Sequence, residues 1–235
     1  MNEKPISIVS LGPGDPELLT IGALHDLQRA DVIFCPTAGP ADADVGASRA
    51  GRLLLASGIG RERIRLFELG MRCDRRGALE IYDAVARAAV GASDEGQEVA
   101  VAAEGDAGIF ASVHYIGDRI AALGHAVRYR AGIPAFIAAG ATAGLHLVKQ
   151  RESLVVVPEL RDAAHAEALV ASGMTVVIMK LSQNADLVRA LLAAHPTAGW
   201  HYFENLGSPL ECHLTAPDEI LARRFPYFSL LILRP

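Results

Sequence analysis

The chain has 235 residues, 51% of them hydrophobic, 21% charged, and a formal net charge of −5. That is enough apolar material for one large core or two smaller ones, which excludes a disordered chain, and the acidic balance argues against general nucleic-acid binding. Three cysteines, Cys35, Cys73 and Cys212, stand outside any CxxC pair, a pattern that indicates neither a zinc site nor a disulfide framework and fits a reducing compartment.

The N-terminus, MNEKPISIVS, lacks the apolar core of a signal peptide. The most lipid-like stretch, Ile133 to Val148, contains Pro134, two glycines and His146, and falls short of the roughly 20 apolar residues a bilayer needs. A cytoplasmic protein without membrane association is expected.

In chain order, Ile6, Ile8, Val9 and Leu11 form a short apolar run that stops at Gly12-Pro13-Gly14-Asp15-Pro16, the pattern of a buried strand entering a rigid loop. Helical spacing follows from Leu18 to Leu27, with Asp15 or Pro16 as the helix start. The loop therefore lies at the carboxyl end of a strand, where ligands bind in open α/β sheets. It has no lysine and matches neither GxxxxGK[ST] nor GxGxxG. Its two prolines lack N–H groups and Asp15 is acidic, so a ligand without phosphate suits it better. An ordinary tight turn is the plainer reading.

Asp31 to Cys35 is predicted as a second strand, ended by Pro36, and Ala38 to Gly46 as a loop. Ser48 can cap a helix running to Gly58, and Ile64 to Leu69 is a third strand. Between positions 49 and 76 the arginines 49, 52, 61, 63, 65, 72, 75 and 76 outnumber Glu62, Glu68 and Asp74. This segment is either solvated surface or a site for a polyanion, since guanidinium forks match carboxylates. A helix over Ala78–Ala92 and a fourth strand, Val99–Ala103, lead into Glu104-Gly105-Asp106-Ala107-Gly108, a second strand-to-loop transition resembling the first. A helix over Ile109–Leu123 and a fifth strand, Val127–Arg130, follow. Strands alternating with helices imply a mostly parallel sheet covered on both faces.

Ala131 to Gly144 is nearly all small residues, as expected where backbones or a ligand approach closely. Beyond it lie strand-like runs at Leu154–Val157, Thr175–Met179, Trp200–Phe203 and Phe228–Leu233, with helices at Ala163–Ala171 and Ala185–Ala194. Two α/β domains are expected: residues 1–130 with the GPGDP loop and a substrate trough, and residues 131–235 completing the site.

These segments resemble the tetrapyrrole methylase family, which moves a methyl group from S-adenosylmethionine to a porphyrinoid. The resemblance covers essentially the whole chain. It rests on SLGPGDPELLT (Ser10 to Thr20), EGDAGIFAS (Glu104 to Ser112), AGIPAFIAAGATAGLHL (Ala131 to Leu147) and VVIMKL (Val176 to Leu181). Phe34-Cys35-Pro36, the run from Met179-Lys180-Leu181 through Asn184 to Val188-Arg189, and Pro226 to Leu230 are similar to the members that methylate C20 of precorrin-2 or its cobalt complex on the way to cobalamin. Ala107 and Phe110 depart from the family's usual proline and tyrosine, and Ala131-Gly132 stands for Pro-Gly. Other family members, the precorrin-3B C17 and uroporphyrinogen-III methylases, are the nearest alternatives. A ribosomal RNA methylase relative and a silent sensor of the cofactor are more distant ones.

The resemblance implies a two-domain α/β fold, each domain a mixed sheet flanked by helices, with S-adenosylmethionine in the cleft between them. It implies cofactor contacts at Pro13, Glu104, Gly105, Asp106, Ile109, Pro134, Ala135, Met179 and Gly207, and a homodimer. The cofactor carries a sulfonium, an ammonium and a carboxylate but no phosphate, which agrees with the acidic, lysine-free loops. The polycarboxylate substrate makes Arg49, Arg52, Arg72, Arg75 and Arg76 candidate partners. Loss of the C20 proton calls for a base, with Asp106, His114, Tyr115 and Glu204 as candidates, unless water serves. The remaining histidines lack metal spacing, so no metal site is expected and any cobalt arrives with the substrate.

Overall fold

The computed structural model describes residues 4–69 and 75–235. The chain divides into two compact units, Met1–Pro134 and Ala135–Pro235.

In the first unit, strands β1 (Ile6–Ser10), β2 (Val32–Thr37), β3 (Ile64–Glu68), β4 (Val99–Ala103) and β5 (Val127–Arg130) form one sheet in the order β3-β2-β4-β1-β5. Every pairing in it is parallel, so the mixed sheet expected of each domain is not what this unit has. Alternation sorts the side chains between two faces. Ile6, Ile8, Val99 and Val101 pack with Val85 and Ala89 of α3 (Arg75–Asp94) and with Ile116 and Ile120 of α4 (Val113–Ala122). Val9, Leu11, Ala100 and Ala102 pack with Leu27 of α1 (Ile21–Arg29) and with Leu53 and Leu54 of α2 (Arg49–Ala56). The helix following β1 thus covers one face and the helix following β4 the other. Adjacent strands whose connections leave to opposite faces mark the switch point of an open sheet, where a crevice forms at the strand ends.

Three expected boundaries shift. The first helix begins at Ile21, capped by the Thr20 hydroxyl, while Asp15 caps only a single turn of 3₁₀ helix, Pro16–Leu18. Strand β2 runs through Pro36, because its pairing with β4 ends at Phe34 and a missing N–H costs nothing beyond that point. Helix α4 starts at Val113 rather than Ile109. The Asp106 side chain accepts the Gly108 N–H and Phe110 is left-handed at φ 51°, which holds the intervening residues in turns.

In the second unit, β6 (Leu154–Val157), β7 (Thr175–Met179), β8 (Gly199–Glu204), β9 (Cys212–Leu214) and β10 (Ser229–Arg234) form a sheet in the order β6-β7-β10-β8-β9. This one is mixed: β6 and β7 are parallel and the other neighbours antiparallel. Its core joins Ile178, Trp200, Tyr202 and Leu231 to Leu169 of α6 (Ala163–Ala171), Leu192 of α7 (Ala185–Ala194) and Ile220 of α8 (Pro217–Leu221). Within the small-residue stretch, Ala135–Thr142 is helical (α5). Among the described residues no helix is long and apolar enough to cross a membrane.

Candidate functional site

The loops that leave β1, β4 and β5 are tied to one another by the residues of the sequence motifs. Gly12 and Gly105 exchange two backbone hydrogen bonds, at 3.0 and 2.8 Å. Both have positive φ, 74° and 70°, a conformation that glycine adopts without the Cβ penalty. The Ser10 hydroxyl, fully buried, accepts the Ala107 N–H at 2.8 Å. The Asp106 carboxylate accepts Gly108 N–H through Oδ1 at 2.8 Å and Gly132 N–H through Oδ2 at 2.7 Å. The Thr20 hydroxyl donates to the Ala131 carbonyl at 3.2 Å. Gly132 allows the closest approach: a Cβ there would lie 2.5 Å from Ser10 Cβ and 2.8 Å from the Gly105 oxygen. Beside Gly105, by contrast, the space a Cβ would occupy is open.

Glu104 follows the last residue of β4, and alternation places it on the α1/α2 face. Burial pushes its carboxyl up to about 7, against the charges of Arg49 and Arg52, which favour the ionised form. Among the described residues none donates a hydrogen bond to it. Arg49 donates to the Pro13 carbonyl in the GPGDP loop. Burial lowers its proton affinity while Glu104 raises it. Cys35 is pushed up to about 12, chiefly by burial, with Glu104 adding to the effect.

The described arginines of the arginine-rich segment are engaged within the first unit. Arg52 donates to the Gly46 and Ala47 carbonyls at 3.0 and 3.3 Å, Arg63 to the Gln28 and Ala30 carbonyls at 3.0 Å, and Arg61 pairs with Asp44 at 2.5 Å. Arg49 and Arg52 are brought to Glu104. Arg72 lies outside the described residues, as do the side chains of Arg75 and Arg76.

The candidate bases have different surroundings. Asp106 has both oxygens committed to backbone. His114 and Tyr115 are exposed on α4, His114 stacked on Tyr129 at 4.5 Å and Tyr115 on Tyr82 at 5.7 Å. Glu204 is buried in the second unit, where it accepts from the Tyr202 hydroxyl and pairs with Arg223. Burial, then Glu204, raises the Tyr202 phenol well above its ordinary value.

Of the remaining candidates, Ile109 lies in the turn closed by Asp106, its N–H bonded to that residue's carbonyl at 3.1 Å. Pro134 ends the first unit and Ala135 opens α5. Met179 is the last residue of β7, paired with Leu230 of β10. Lys180 follows in the left-handed region at φ 54°, its ammonium 5.9 Å from the Tyr227 ring centre. Gly207 has φ 71° and donates its N–H to Glu211 at 2.6 Å. The left-handed backbone of a non-glycine residue such as Lys180, directly after a strand, is strain of the kind that concentrates at functional sites. Among the described residues no group of three or more His, Cys, Asp or Glu side chains is placed to hold a metal ion.

Residues 5–217 match the family model of tetrapyrrole (corrin/porphyrin) methylases. The precorrin-2 C(20)-methyltransferase of Sinorhizobium sp is 30% identical over 96% of this chain and 93% of its own length. The cobalt-precorrin-2 C(20)-methyltransferase of Salmonella typhimurium (strain LT2) is 27% identical over 82% of this chain and 79% of its own. Among solved structures, a uroporphyrin-III C-methyltransferase from Thermus thermophilus, complexed with S-adenosylhomocysteine, shares the fold with a TM-score of 0.68 and 19% identity, covering 98% of this chain and 97% of that one. The motif-bearing loops, the two-sheet fold and the match along most of its length make this chain a member of the tetrapyrrole methylase family.

Proposed function

We propose that this chain transfers a methyl group from S-adenosylmethionine to C20 of precorrin-2 or its cobalt complex, in cobalamin biosynthesis. The observation that carries this reading is the 30% identity to the Sinorhizobium C20 enzyme across nearly the full length of both chains. The same reading has the protein working in the cytoplasm as a homodimer.

The residues present fit the cofactor. The loops after β1 and β4 offer an acidic, lysine-free surface with open space beside Gly105, suited to a cation without phosphate. In the first unit Pro13, Glu104, Gly105, Asp106, Ile109 and Pro134 are the proposed contacts, largely through backbone. In the second they are Ala135, Met179, whose polarisable thioether suits an adenine face, and Gly207. The bound cofactor supplies a methyl group on a good leaving group. The chain's own part is to orient the acceptor carbon and exclude water, and orientation of that kind is worth roughly 7–11 kcal/mol. The hydrogen bonds of Asp106, Ser10 and Thr20 hold the loops in position, so little reordering remains when ligands bind. Arg49 and Arg52 are the described cations proposed to meet the substrate's carboxylates.

The test is incubation of the purified chain with S-adenosylmethionine and precorrin-2, metal-free and cobalt-loaded, followed by mass spectrometry and NMR of the product. One added methyl at C20 supports the reading; a methyl at another carbon, or none on either substrate, refutes it.

A further inference from the structure

We propose that the Glu104 carboxylate accepts the proton that leaves the meso carbon after methyl transfer, a role that rests on the methyltransferase reading above. Asp106 spends both oxygens on the Gly108 and Gly132 N–H groups. Glu204 is closed off by Tyr202 and Arg223. His114 and Tyr115 lie on the exposed side of α4, each against another aromatic ring. Glu104 stands instead at the end of the central strand β4, beside the paired Gly12 and Gly105, and receives no hydrogen bond from any described residue.

Among the described residues, the charged and titratable groups that face it are Arg49 and Arg52 from α2 and Cys35 from β2. Cys35 keeps its proton across the neutral range. The two arginines favour the carboxylate, and Arg49 also fastens the GPGDP loop through Pro13. With a carboxyl that titrates at about 7, the group is matched to general base work at neutral pH.

The step balances. The methyl–sulfur bond breaks with its electron pair left on sulfur, and a carbon–carbon bond forms at the meso carbon using an electron pair of the conjugated ring. The C–H bond at that carbon then breaks, its pair restores the conjugation, and the proton goes to Glu104, which releases it to solvent before the next turnover.

The experiment compares Glu104→Gln with the native chain on precorrin-2 carrying hydrogen or deuterium at C20. The native chain is expected to lose activity as pH falls through about 7. The variant keeps the backbone through which residue 104 is proposed to meet the cofactor, so it is expected to bind S-adenosylhomocysteine by calorimetry within roughly 3-fold of native, but to turn over roughly 10²- to 10⁴-fold more slowly, the range of general-base effects. It should lack the acid limb and show a primary isotope effect larger than native. Methylation by Glu104→Gln at the native rate with the native pH profile overturns the proposal. So does a loss of S-adenosylhomocysteine affinity that accounts for the whole defect, since that marks a binding role. A native chain that methylates neither form of precorrin-2 overturns the methyltransferase reading itself, and this role with it.

Discussion

Asp106 receives the Gly132 N–H at 2.7 Å, a bond spanning 26 residues of sequence. One carboxylate thereby holds the turn after β4 against the residues that follow β5. Hydrogen bonds to a charged group are worth about 1.5–3 kcal/mol each, and the second oxygen holds Gly108 as well. Asp106→Ala is expected to lower unfolding free energy by roughly 2–4 kcal/mol in denaturant titration, and to weaken S-adenosylhomocysteine binding. Asp106→Asn, which keeps one acceptor oxygen, should lose about half as much.

Gly132 faces the same junction from the other side. A methyl group there would meet Ser10 Cβ at 2.5 Å and the Gly105 oxygen at 2.8 Å, and neither neighbour is the end of a flexible side chain. Gly132→Ala should therefore cost about 1–3 kcal/mol, the usual range for overpacking. Thermal melting measures it, and a melting point equal to native would show that the junction yields.

Much of this was legible in the sequence because it follows from local rules. The short apolar runs of β1 and β4 read as buried strands, Ser48 was readable as a helix cap and accepts the Gly51 N–H, and the glycines of the two loops marked strand ends. What was not legible depends on partners far along the chain. Nothing near Glu204 announces Arg223 or its closed network. The near-neutral titration of Glu104 comes from burial against α2, which spacing does not reveal. Helix α5 was hidden because Ala135 to Thr142 shows no apolar stripe, and α8 because five residues are too few for a period.

Glu104 makes a prediction about stability that is independent of turnover. Its folded-state proton affinity is raised by burial, to about 7, above the roughly 4.3 of an unfolded glutamate. Its contribution is therefore fully present below about pH 4 and is lost as pH rises through the folded value. Glu104→Gln should flatten the decline in stability between about pH 4 and 7. Urea titrations at several pH values test this, and an unchanged slope counts against the buried carboxyl.

Asp26 has the opposite sign. Burial alone would raise its proton affinity, but the Arg130 hydrogen bond and the Arg128 charge outweigh it and hold the carboxyl below its usual range. Both arginines lie within 3.0 Å of it. This contribution is complete above about pH 4 and disappears as pH falls through the lower folded value. The arginines are 35% exposed, so Asp26→Asn should cost at most about 3 kcal/mol, below the range for a wholly buried pair. The loss should shrink in acid, as the native chain gives up the same interaction.

The run from Met179 to Arg189, which carries part of the sequence resemblance to C20 enzymes, has a structural role in its second half. Asn184 is buried, accepts the N–H of buried Leu160 at 2.7 Å, and donates to the Pro158 carbonyl at 3.2 Å. It pins the segment after β6 to the start of α7. One turn further on, Arg189 donates to the Leu221 and Arg223 carbonyls and lies over the Phe225 ring at 4.8 Å, fixing the residues that carry the Arg223 partner of Glu204. Asn184→Ala leaves a buried N–H without its acceptor and should destabilise by about 1–3 kcal/mol. Arg189→Met removes two carbonyl partners and should loosen the Glu204 pair indirectly. Hydrogen exchange should then rise across residues 221–225 while β1 and β4 keep native protection. Exchange rising equally in both units would mean that the run does more than brace its own sheet.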